Sequence, residues 1–430
     1  TGAPYSRWLE PLEGAPAWRR RAAARGPGEP WPPAPAGLQL AGRRIGLRFT
    51  RPLPYFAEMC AYHALAPVPP ALRNRGPSAL SPSGSAAGWV GSGPFRLERR
   101  RLRDRLRVVP NPEYWEAGAV RLAGIDFLTV DSPLTGLNLF LTGEADYLPD
   151  VPALAVEGLL ERERRRAAEA RRRGETPPPR EFAPAPFLAT YFYRINVTRP
   201  PLDDPRVRRA LVLAVDRRAL AAALGAGQPP AGSFTPPWIE GYAPPHAAGF
   251  DPPAARALLA AAGFPEGKGL RPLELLFNSS AAHREVAEVL QEQWSRNLGL
   301  RTRLSNQEWK VFLDSQRRLD YDLSRSSWIG DYQDPSTFLD IFRSEDGNNR
   351  TGWKDARYDR LLGDAEASED PAARADLFRQ AEEHLLEAAP LLPLFHYQSL
   401  ELVSERVAGL TRNLRSVIDW AQVRLRPEEP

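Results

Sequence analysis

Apolar and polar residues change period several times along the chain, and each change marks an element. Residues 43–49 alternate in the manner of a half-buried strand. Three more β-type runs follow at 95–100, 105–110 and 121–130, with a turn at Asn111, Pro112, Glu113, Tyr114 and Trp115 that plugs in two aromatic rings. Residues 134–141 read as a helix that stops at Gly143, and 187–196 as a strongly β-type strand. Behind Asp204 and Pro205, the residues Val207, Ala210, Leu211, Ala214 and Val215 recur at i, i+3, i+4, i+7 and i+8. That spacing predicts one helix over 205–224 with a single buried face. A helix over 252–262 has Asp251 at its start and Gly263 at its end.

Residues 271–304 form a strand–helix–strand unit, with the helix at 281–298. Such units build parallel sheets, whose ligands lie at the carboxyl ends of the strands. A short helix carrying Trp309, a strand at 321–328, helices at 355–367 and 370–388 and a strand at 391–395 complete an α/β pattern. Residues 26–37 are a loop by composition, and the Gly/Ser/Pro-rich stretch 76–93 is where the chain would cross between lobes. The charge-dense helix at 157–173 reads as a solvated surface, because it lacks the apolar stripe that lipid binding requires.

Composition narrows the function more than the fold. A chain of 430 residues suggests two large lobes or about three domains. With 57 Lys and Arg against 53 Asp and Glu, the net charge of +4 offers no focused basic face for nucleic acid. Cys60 is the only cysteine, and His63, His246, His283, His384 and His396 are scattered. Neither a thiolate metal site nor a histidine pair at ligand spacing is present, and no metal or cofactor is expected. The glycine-rich phosphate loops and the nucleophile elbow of hydrolases are absent too, so the chain does not read as an enzyme. No run of 18 apolar residues occurs, and no signal peptide is visible ahead of Thr1.

The candidate chemistry sits where the strand at 321–328 ends in a charged, aromatic loop, RSSWIGDYQDP. Asp331 and Arg325 are either a local ion pair or the two halves of a zwitterion site, an acid for an ammonium and a guanidinium for a carboxylate. His283 stands at the start of the 281–298 helix, where free N–H groups and the helix dipole suit an anion, although a capping role fits a lone histidine equally. Trp309 and Trp328 are either core residues or pocket walls.

Several stretches, in order, resemble the bacterial extracellular solute-binding proteins of family 5, the periplasmic oligopeptide-binding subunits of ABC-type importers. They are SGPFRLERR with NPEYW, LTGEADYL, YFYRINVTRPPLDDPRVRRALVLAVDR, FTPPW, NSSAAH, SNQEWKVFLDSQ, RSSWIGDYQDPSTFL and NNRTGWKDARYDRLL. The likeness covers roughly 89–410, with an insertion near 157–186. It implies a two-lobed α/β fold of the periplasmic binding type, shortened at the N-terminus, that closes over a short peptide. On that division 1–78 is a remnant of the small extra domain of lobe one, 79–188 is lobe one, 189–397 is lobe two, and 398–430 returns to lobe one. At matching positions Asp331 meets the peptide's ammonium, and Arg325 and His283 meet its carboxylate. Trp309 and Trp328 line side-chain pockets, and residues 326–330, with Ser327 and Gly330, offer backbone hydrogen bonds by strand addition. Tyr5, in APYSRW, resembles a ligand-side tyrosine. Two positions that hold a disulfide in some members are Ala189 and Ile329 here. The implied partners are short peptides and importer permeases, with an exported, extracytoplasmic, monomeric protein and no nucleic acid. The rival readings are the same fold with another cargo (a dipeptide, opine, sugar or metal chelate) and, from another class, a peptidase-like hydrolase.

Overall fold

The computed structural model describes residues 6–26, 29–42, 44–62, 65–67, 90–225 and 227–426. Tyr5, His63 and most of the stretch 76–93 lie outside them. The larger half is built in the chain order β1 (Ala185–Ile195), α1 (Pro205–Leu213), α2 (Arg217–Leu224), α3 (Pro252–Ala261), β2 (Leu273–Asn278), α4 (Ala281–Leu298), β3 (Thr302–Gln307), α5 (Trp309–Arg317), β4 (Leu323–Ile329), α6 (Ala356–Ala367), α7 (Pro371–Ala388) and β5 (Leu391–Ser399). The five strands form one sheet in the order β5-β1-β4-β2-β3. β4, β2 and β3 run parallel, while β1 is antiparallel to both of its neighbours.

Side chains alternate across each strand, so each face of the sheet receives its own core. Tyr191, Tyr193, Ile195, Leu275 and Leu323 pack on one face against Leu211, Leu259, Leu290 and Trp294 of α1, α3 and α4. Leu188 and Phe192 pack on the other, against Phe338, Phe342, Tyr358 and Leu385. The single helix expected over 205–224 is broken in two. The carboxylate of Asp216 accepts the N–H groups of Arg218 and Ala219, both at 3.0 Å, and so starts a new helix. Ala214 and Val215 remain buried in the same core, which is why the periodicity runs on through the break.

The smaller half holds the antiparallel strands Phe95–Arg100, Arg105–Pro110 and Ile125–Leu128. Its own core joins Leu137, Phe140, Leu148, Val156, Leu159, Phe182 and Leu402. The charge-dense helix, Val156–Arg172, is anchored to that core by Val156 and Leu159, and its Arg166 engages Glu163, Glu181 and Glu405. The strand expected over 43–49 is confined to Arg44–Leu47, paired with Leu38–Ala41. All four of its residues are exposed, so the alternation there follows no buried face.

The two halves share β1 and β5, which pair with each other. Just before β1, Phe182 bridges to Leu402, and Leu402 pairs with Leu148 in the small core. Residues 188 and 397 both lie inside strands of the large sheet.

Candidate ligand-binding site

Arg325 is the centre of the site. It projects from β4 on the Tyr191–Tyr193 face and is only 8 % exposed. Its guanidinium lies 4.9 Å from the centre of the Tyr191 ring. It donates to Asn278 Oδ1 at 3.4 Å, Ser327 Oγ at 3.3 Å and the Tyr397 hydroxyl at 3.4 Å. Its Nε is buried without a partner, and among the described residues no carboxylate forms an ion pair with it. A buried cation served only by long neutral hydrogen bonds is costly, and an arriving anion removes that cost.

His283, at the start of α4, adds a hydrogen-bonding group rather than a charge. Its Nδ1 lies 3.3 Å from the Tyr191 hydroxyl. Burial, and then the nearby Arg325, push the imidazole down to about 4. The folded protein therefore favours neutral His283, and stability is lost as the pH falls from the ordinary histidine value toward 4. Followed by NMR, the His283 ring should show no inflection between about pH 8 and about pH 5. A midpoint near 6.5 would show a solvated ring instead.

The backbone of β4 supplies the second feature. All seven of its residues pair with β1, from Leu323 opposite Ile195 to Ile329 opposite Ala189. With β2 it pairs only at Leu323 and Ser324. The Arg325 carbonyl accepts from Gln316 Nε2 at 3.0 Å, and beyond it that edge has no neighbouring strand among the described residues, the geometry that an extended peptide uses for strand addition. Ala189 and Ile329 face each other directly across this pairing. The Gly330 N–H donates to the Leu188 carbonyl at 2.8 Å. A Cβ at Gly330 would lie 2.7 Å from Leu188 Cδ2, so a larger residue would have to displace the buried Leu188 side chain.

Asp331 follows, half-buried, with its N–H donating to Thr337 Oγ1 at 2.9 Å. Its loop is held by the bidentate pair of Asp334 with Arg374, at 2.6 and 2.9 Å. The structure thus brings Arg325, Ser327 and His283 together and sets Asp331 beyond the end of the same strand. Trp328 points to the opposite face, where it packs at the edge of the Phe192 and Phe338 core with its indole Nε1 unpartnered. Trp309 is half-exposed at the start of α5, with its ring 5.8 Å from that of Phe312. Tyr191, Tyr397 and Asn278 complete the site and were not expected from the sequence. A cavity of about 500 Å³ lies away from Arg325, between Leu53, Tyr55 and Glu58 on one side and Tyr242, Gln333 and Arg374 on the other. Among the described residues no group of histidines, cysteines and carboxylates could hold a metal ion, and no helix is long and apolar enough to cross a membrane.

Residues 40–350 match the profile of the bacterial extracellular solute-binding proteins, family 5 Middle. The chain belongs to this family. Among its curated relatives are the periplasmic murein peptide-binding protein MppA of Escherichia coli and the periplasmic oligopeptide-binding protein OppA of Salmonella typhimurium. The first is 31 % identical over 376 residues, which is 86 % of this chain and 66 % of the relative. The second is 30 % identical over 370 residues, which is 84 % of this chain and 65 % of the relative. The chain thus spans just under two thirds of the length of either. The solved murein tripeptide binding protein MppA of Escherichia coli superposes with a TM-score of 0.81 at 29 % identity, covering 99 % of this chain and 80 % of that one. OppA of Haemophilus influenzae, solved in complex with the peptide RPPGFSPFR, gives 0.76 at 25 % identity, covering 98 % and 80 %. The two-lobed α/β architecture expected of this family 5 protein is therefore the one it has.

Proposed function

We propose that this family 5 protein is the substrate-binding component of an ABC-type importer and encloses short peptides between its two halves. The observation that carries this reading is Arg325, a buried guanidinium with no ion pair among the described residues, set beside a strand edge that has no neighbouring strand among them beyond the Arg325 carbonyl, which Gln316 holds. Arg325, helped by neutral His283, takes the peptide carboxylate, and Asp331 takes the α-ammonium. The edge beyond Arg325 pairs with the peptide backbone, a mode that reads no side chain and suits a broad range of sequences. Trp328 and Trp309 border side-chain space, and Tyr5 is a further ligand-side candidate. The relatives named for murein peptide and oligopeptide binding support the cargo class. The protein works as an exported, extracytoplasmic monomer that docks on importer permeases, with no catalytic step and no nucleic acid.

Calorimetric titration with trialanine and with N-acetyl-trialanine tests the reading. Acetylation and Asp331→Ala should each weaken binding about 10- to 100-fold, the worth of a charged hydrogen bond. Because both remove the same contact, the two losses should not add. Equal binding of the two peptides would sink the ammonium assignment and favour a cargo without a free amine.

A further inference from the structure

Residues 330–335, which carry Asp331, are gripped from two directions. Within the larger half, Thr337 accepts the Asp331 N–H, the Tyr332 hydroxyl meets Ser336 Oγ at 3.2 Å, and Arg374 holds Asp334. Asp334 Oδ1 also accepts the Ser336 N–H at 3.0 Å. The other grip comes from far away in the chain. The Tyr55 ring stacks on Tyr332, with centroids 4.4 Å apart and planes 6° apart. Trp8 meets the same tyrosine edge-on at 5.7 Å. Glu58 Oε2 accepts the Gln333 N–H at 2.7 Å. Beside these contacts Arg51 pairs with Glu366 at 2.7 Å, which ties the same N-terminal segment to α6.

We infer that Tyr55 and Glu58 are positioning residues that clamp the Asp331 loop, so that docking of the N-terminal segment and retention of a peptide ammonium are coupled. The inference rests on the peptide reading given above. The two contacts fall one and two residues after Asp331, on backbone that has no strand partner beyond Gly330. Releasing them frees the loop to swing its carboxylate away from a ligand. By linkage, a ligand held at Asp331 strengthens the docking of residues 51–58 by the same factor. Burial, and then Asp340 and Asp334, push the Tyr55 phenol up to about 12, so the ring stays neutral and acts through stacking. Phenylalanine should therefore serve in its place.

The test uses the full chain and its Tyr55→Ala, Tyr55→Phe, Glu58→Ala and Asp331→Ala variants. Trialanine binding and release are followed by stopped flow, and exchange of the Gln333 amide by NMR or mass spectrometry. Tyr55→Ala should bind about tenfold more weakly, a common size for coupling between two sites, with the loss in the dissociation rate. Tyr55→Phe should stay within about twofold of the parent. The Gln333 amide should exchange faster in both Tyr55→Ala and Glu58→Ala, and trialanine should slow it in the parent. A Tyr55→Ala variant that matches the parent in affinity and in Gln333 exchange, while Asp331→Ala binds weakly, overturns the coupling alone. A Phe variant as weak as the Ala variant overturns the stacking role. A parent chain that does not bind trialanine overturns the peptide reading and the coupling with it.

Discussion

Replacing Arg325 by methionine should weaken the binding of an unblocked tripeptide by at least about thirtyfold and, in the same protein, raise the melting temperature of the ligand-free form. Truncating one member of a buried, hydrogen-bonded charge pair costs about 2–5 kcal/mol, much of it the penalty of leaving the other charge buried alone. In the proposed complex that stranded charge would be the peptide carboxylate. In the empty protein the stranded charge is Arg325 itself, whose three hydrogen bonds are all 3.3–3.4 Å long and whose Nε has no partner. Methionine keeps most of the stem and removes the charge. What it forfeits is the contact with the Tyr191 ring, worth about 1 kcal/mol, against a desolvation cost of several. Amidating the peptide's C-terminus should reproduce the loss in the parent protein and add nothing in the variant. Titration of both peptides, with thermal melts of both proteins, checks the pair of claims. A variant that binds normally, or melts below the parent, would show that Arg325 is there for the fold.

Glu382→Ala should cost about 3–5 kcal/mol of stability without touching the site. This carboxylate on α7 is fully buried, and no ion pair serves it among the described residues. It accepts the N–H groups of Phe234 and Thr235, both at 2.8 Å, and the Tyr242 hydroxyl at 2.6 Å. Alanine leaves three buried donors unmet, each worth about 1–3 kcal/mol. Burial outweighs those donors and pushes the carboxyl from 4.5 up to about 7. The folded state therefore binds a proton that the unfolded state has released. The stabilisation is complete below pH 4.5 and is lost as the pH rises through about 7. Glu382→Gln lacks this titration, so it should gain on the parent by about 2–3 kcal/mol between about pH 5 and about pH 8. Denaturant unfolding at the two pH values gives the difference directly. An unchanged gap would show that Glu382 stays charged in the fold.

Much of the larger half can be read from residue order. The unit at 271–304 has its elements where the periodicity puts them, because each buries one face on a helix or strand close to it in sequence. The broken helix at Asp216 was hidden because periodicity follows the core, and the core does not register a cap. Arg325 and His283 were legible as chemistry, whereas Tyr191, Tyr397 and Asn278 arrive through strand pairing and leave no local mark. Tyr397 also lies beyond 395, where the strand was expected to stop, while β5 continues to Ser399. One signal could have been used. A strand period of two already separates Arg325 from Trp328, and the structure does place them on opposite faces. The docking of Tyr55 on Tyr332 joins residues so far apart that no spacing rule reaches it.

That docking has a practical side. Cys60, the chain's only cysteine, is exposed at the end of the short helix Phe56–Cys60, two residues from the Glu58 that holds Gln333. A maleimide dye would therefore attach to this chain at one place only, on the helix that carries Glu58 but turned away from the Glu58 side chain. That position lies close enough to the Gln333 contact to report on the proposed docking without any substitution in this chain.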